Sequence, residues 1–150
     1  VQRSTTDGDG LDRRPGGADD ATVEAVGKLS EAVETVERAR GALYTFHQLM
    51  GHADLQLGEA AGLLRAAGHP EIADRLETEV VGRNVVSGRW TFQVVEEFDD
   101  DYWSVVRAEE KAVRDTLVAG IRHIYEAEMK VDRRTPGKPG HEAVPANASN

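Results

Sequence analysis

The sequence predicts an all-α protein. Apolar residues recur at helical spacing through its middle, no sustained apolar–polar alternation marks a strand, and Gly and Pro interrupt the pattern at few places. With 150 residues, 39% hydrophobic and 30% charged, the chain is long enough for one modest core. The expected architecture is two long antiparallel helices joined by a short one, completing a four-helix bundle as a homodimer.

Residues 1–20 hold Gly8, Gly10, Pro15, Gly16 and Gly17 among Asp and Arg, with Val1 and Leu11 as the large apolar residues. That is too little apolar area to offset the entropy of ordering them, so a disordered tail is expected. The helical domain is expected over 21–132. Its first helix spans 21–67 and stops at Gly68-His69-Pro70, where a residue tolerant of left-handed backbone meets a proline suited to a first helical turn. A short helix follows over 70–84 until Gly82, Asn84, Ser87 and Gly88 break the pattern. Thr91 can cap the next helix, 91–132, with Trp90 and Val95 forming a hydrophobic staple across its start. Acid-before-base pairs four apart, among them Glu34 with Arg38, Glu79 with Arg83, Glu110 with Arg114 and Glu126 with Lys130, support these helices. Pro136, Gly137, Pro139, Gly140 and Pro145 make 133–150 a second expected tail.

The first helix carries a seam at alternating steps of three and four: Val26, Leu29, Val33, Val36, Arg40, Leu43, His47, Met50, Asp54, Leu57, Ala61 and Leu64. Such a repeat belongs to coiled-coil or bundle packing. Arg40, His47 and Asp54 interrupt it seven residues apart. Two roles fit them: satisfying partners across a helix interface and so fixing register, or lining a polar pocket inside a bundle.

The last helix has a stripe at spacing near 3.6: Val95, Phe98, Tyr102, Val106, Glu109, Val113, Leu117, Ile121 and Ile124. Its start is crowded with Trp90, Phe92, Phe98, Tyr102 and Trp103, while Gly58, Ala60, Ala61 and Gly62 lie near the end of the first. Packing the large residues over the small ones brings Glu109 or Glu110 near His47, Asp54 near Trp103 and Arg107, and Arg40 near Asp115. A helix of ~45 residues is ~65 Å long at 1.5 Å per residue, too extended for two helices to bury alone, so self-association is expected. A bend at Gly41 or Gly51 would instead give a compact monomer.

A net charge of −9 argues against nucleic acid as a partner, because that affinity comes mainly from Lys and Arg. No apolar run is long enough for a membrane span, and no secretory leader is visible at the start, so a cytoplasmic setting is expected. Zero cysteines leave no disulfide, thiolate metal site or cysteine nucleophile. No phosphate loop, dinucleotide fingerprint, zinc-protease motif or nucleophile elbow occurs.

None of the five histidines follows a Glu by three residues, the spacing of di-iron bundles. His47, Glu109, His123 and Glu126 are candidates for a divalent metal site, and Glu96, Glu97, Asp99, Asp100 and Asp101 offer further carboxylates for one assembled between chains. The segment Trp90–Trp103, rich in aromatics and acids, fits either a heavy core layer or a surface for a partner protein. The expected function is that of a non-enzymatic interaction or scaffold protein, homodimeric, with no cofactor. The alternative is a metal- or small-ligand-binding bundle of ferritin-like or hemerythrin-like architecture.

Overall fold

The computed structural model describes residues 14–143. They form α1 (Asp20–Ala66), α2 (Pro70–Glu79), α3 (Thr91–Phe98), a π-helical turn (Asp99–Trp103), α4 (Ser104–Val118) and α5 (Ile124–Arg133). No strand occurs among the described residues, only an isolated bridge between Val86 and Arg89, and no helix is long and apolar enough to cross a membrane. The all-α class stands.

Local chemistry accounts for the ends of α1. Asp19 accepts a hydrogen bond from the Thr22 backbone N–H at 2.8 Å, satisfying one of the donors that a helix start leaves open. At the other end Gly68 takes φ +88°, the Gly68 N–H reaches the Arg65 carbonyl and the His69 N–H reaches the Leu64 carbonyl. This crossed pair satisfies the last carbonyls and requires the left-handed backbone that glycine supplies. α1 runs unbroken through Gly41 and Gly51. Pro70 then opens α2, which ends at Glu79 and not at residue 84, because the Val80 and Val81 N–H groups both return to the Leu76 carbonyl.

The helix expected over 91–132 departs in two ways. It is interrupted at Ala119–His123, where Ala119, Gly120 and His123 all have positive φ. Arg114 holds this turn by donating to the Gly120 carbonyl at 2.8 Å. Before that, the π-helical turn adds one residue relative to α-helical spacing and so changes which positions face inward. Tyr102, Glu109 and Leu117, expected inside, are exposed, whereas their successors Trp103, Glu110 and Val118 are half-buried or buried; Val106 and Val113 are half-buried and Ile124 is buried, as expected.

The chain divides into two compact units, residues up to Val33 together with those from Arg107, and Glu34–Val106. The first has an apolar core of Val23, Val26, Val118 and Ile124, with Ala18, Val113 and Ile121 packed against it. Arg114 is buried there and paired with Glu110 at 3.0 Å, and Ser30 donates to the same carboxylate at 3.3 Å. In the second unit the buried residues are Ala61, Ala73 and Val95. Arg65 fastens α2 there through Asp74 and Glu77, each at 2.6 Å.

The expected tails extend over residues 1–13 and 144–150, which lie outside the described residues. Residues 14–19, read as tail, are bonded: Arg14 makes a two-pronged ion pair with Glu128, both contacts at 2.9 Å, and a third contact to Asp20 at 2.7 Å. Past α5, the Thr135 N–H donates to His141 Nδ1 at 3.2 Å.

Candidate functional site

The twelve seam positions of α1 from Val26 to Leu64 are all buried or half-buried. Its polar members Arg40, His47 and Asp54 therefore meet the protein, but not the partners expected from packing large residues over small ones.

Arg40 donates to both Asp99 oxygens, from Nε at 2.7 Å and from Nη2 at 3.0 Å, and the Tyr44 hydroxyl donates to the same carboxylate at 2.7 Å. The guanidinium lies over the Trp103 ring at 4.1 Å and the Tyr44 ring at 4.8 Å. Trp103 Nε1 donates to Glu37 at 2.9 Å. Hydrogen bonds from Arg40 and Tyr44 hold the Asp99 carboxyl below the usual carboxylate range. The bond to Asp99 in turn raises both the Arg40 guanidinium and the Tyr44 phenol. Asp99 opens the π-helical turn and Trp103 closes it, so the turn presents both residues to α1.

Seven residues further along, His47 Nδ1 lies 2.7 Å from the Thr91 hydroxyl. Thr91 is thus the first residue of α3 and not its cap; the Gln93 side chain accepts from the Trp90 N–H at 3.0 Å instead. Asp54 accepts from the Gly82 N–H at 2.7 Å, tying α1 to the segment after α2. The expected register is corrected accordingly. Arg40 meets Asp99 and not Asp115, His47 meets a hydroxyl and not Glu109 or Glu110, and Asp54 meets a backbone amide and not Trp103 or Arg107. Glu110 belongs to the other unit, on Arg114, and Glu109 is exposed. The physical reason is that α2 and the segment after it occupy the end of α1, through Arg65 on Asp74 and Glu77 and Asp54 on Gly82, so that α3 starts only beside His47.

The aromatic segment divides. Phe98 and Trp103 are half-buried, with Tyr102 exposed 5.8 Å from Phe98, ring centre to ring centre. Trp90 and Phe92 are exposed, at 57% and 41%, with ring centres 5.1 Å apart. They line an open groove of about 450 Å³ with Met50, Leu57, Val80 and Val85, and with Asp54 and Arg83 at its polar side. The composition suits an apolar side chain or ring anchored by few polar contacts.

The residues named for a metal are not gathered. His123 lies 4.0 Å from Glu126, both well exposed, His47 is on Thr91, and no group of three or more His, Asp or Glu that could hold an ion forms among the described residues. Sequence reasoning did not pair Asp99 and Tyr44 with Arg40, Thr91 with His47, or Glu37 with Trp103. The signal for Asp99 was present, a carboxylate among the aromatics opposite an arginine that had to be satisfied, but choosing it required the register.

Comparison with protein families, curated proteins and solved structures finds no match to this chain.

Proposed function

We propose that this is a non-enzymatic helical interaction protein that works as a homodimer, its two long helical segments running antiparallel and two copies completing a four-helix bundle. The observation that carries the reading is the apolar balance of Glu34–Val106. Ala61, Ala73 and Val95 are its buried apolar residues, while Phe46, Leu49, Leu63, Trp90 and Phe92 are exposed. Scattered exposed hydrophobics are ordinary, but a unit that exposes more large apolar side chains than it buries gains from a partner. The groove at Trp90 and Phe92 offers the aromatic anchors typical of interface hot spots, and its protein partner would insert an apolar side chain there.

The polar seam is read as structural in this proposal. Arg40, His47 and Asp54 each have a partner within the chain, so each fixes where another segment docks.

The test is native mass spectrometry of untagged protein purified from its own cells. A dimer of the bare polypeptide is expected. A monomer carrying a stoichiometric metal ion or small molecule would contradict the reading and favour a ligand-binding bundle.

A further inference from the structure

α1 carries a second seam, offset by one residue from the first. Thr35, Ala39, Ala42, Phe46, Leu49, Ala53, Gln56 and Ala60 again step by four and three, and not one of them is charged. Where the first seam faces its own chain, this one faces outward: all of its members are exposed except Ala53, Phe46 at 42% and Leu49 at 60%. An uncharged, heptad-spaced face left open over this length is unusual for a surface helix, whose outer face is normally polar.

The set has an internal symmetry. Reversing α1 about the midpoint between His47 and Gln48 maps Thr35 onto Ala60, Ala39 onto Gln56, Ala42 onto Ala53 and Phe46 onto Leu49. We infer that α1 docks antiparallel on α1 of a second copy about a two-fold axis at this midpoint. Phe46 then packs against the partner's Leu49 on both sides of the axis, and alanines form the flanking layers, letting the helices approach closely.

Charge selects this register. The positions beside the seam include Arg38 and Glu59, both exposed, with no ion pair to either among the described residues; Arg38 donates to the Thr35 hydroxyl at 3.0 Å. In the proposed register Arg38 faces the partner's Glu59, and the two-fold repeats the pair. Shifting the antiparallel register by a heptad loses this: one direction sets Glu59 beside the partner's Thr45, and the other sets it beside the partner's Glu31, a like charge. A parallel arrangement sets Arg38 against apolar positions.

This inference rests on the homodimer reading, and its test separates the two. Arg38→Glu and Glu59→Arg change exposed side chains outside the core and should leave the helical circular dichroism intact. Each alone places like charges together twice and should weaken self-association by about tenfold. Mixed one to one they should form a heterodimer with both pairs restored, and Arg38→Glu/Glu59→Arg in one chain should regain the parent affinity. Leu49→Asp should abolish the dimer while the monomer stays folded. A dimer indifferent to these changes, or single variants that do not recover on mixing, overturns the inference and leaves self-association standing. A parent protein that stays monomeric overturns both.

Discussion

The Arg40–Asp99–Tyr44 cluster shows how a residue that looks out of place on an apolar seam can be stabilising. Its guanidinium has a two-pronged partner and two aromatic faces, so removing Arg40 alone leaves Asp99 dependent on Tyr44. Arg40→Leu should therefore lower the thermal midpoint more than Arg40→Leu/Asp99→Leu does, since breaking one side of a pair costs more than replacing both. A double-mutant cycle read by thermal melting checks this. Acid should report on the same cluster. The carboxyl of Asp99 is depressed in the folded protein, so its contribution is present above the ordinary carboxylate value of about 3.9 and is lost as pH falls through the lower folded value. Asp99→Asn should flatten the stability loss below about pH 4; an unchanged acid limb would show that other carboxylates dominate it. That Arg40, His47 and Asp54 would face the protein was legible from their place on the seam. With whom they would pair was not, because register depends on how much of the end of α1 is taken up by α2 and the segment after it, which local spacing does not reveal.

At the scale of the element, α1 was legible nearly to the residue: a heptad seam is a property of local spacing, and every seam position faces protein. The stretch after Trp90 was legible in part: Val106, Val113 and Ile124 lie inward as expected, whereas Tyr102, Glu109 and Leu117 do not. Counting at 3.6 residues assumes an uninterrupted α-helix, and the π-helical turn adds a residue that moves the inner face from Tyr102, Glu109 and Leu117 to Trp103, Glu110 and Val118. The turn thereby reconciles Phe98 and Asp99 with Trp103 on one face. A deletion test follows. Removing Asp100, an exposed residue of the turn, should convert it to α-helix while both flanking segments keep their inner faces, so the protein should fold with a similar or higher thermal midpoint. Removing Ala108 from α4 should instead rotate Glu110, Arg114 and Val118 away from their partners and disrupt folding. Equal damage from both deletions would refute the role given to the turn. The end of α4 at Val118 was missed for a related reason. Apolar periodicity continues through Ile121 and Ile124, and the turn is held by Arg114 on the Gly120 carbonyl, a contact that spacing does not reveal. A side chain at Gly120 would have both a left-handed backbone, φ +75°, and a Cβ 3.0 Å from Asp115 Oδ1.

At the scale of the whole molecule the two units differ in what stabilises them. The unit built on Val23, Val26, Val118 and Ile124 has a core of its own, and Ile124→Ala should cost roughly 2–5 kcal/mol by denaturant titration at any protein concentration. Its N-terminal border is closer to the chain start than composition suggests. Deleting residues 1–19 removes Arg14 from Glu128, Ala18 from the core and the Asp19 cap, and should lower the thermal midpoint, whereas deleting 1–13 keeps all of these contacts. Equal midpoints for the two truncations would show that Arg14 contributes nothing. The unit Glu34–Val106 is otherwise: many of its large apolar residues, Phe46, Leu49, Leu63, Trp90 and Phe92 among them, are exposed, so its stability should grow with protein concentration as mass action favours a partnered state. Sedimentation equilibrium across a wide concentration range measures that state most directly. A homodimer gives a mass rising to roughly twice 16.3 kDa, and a monomer of 16.3 kDa at every concentration would contradict it.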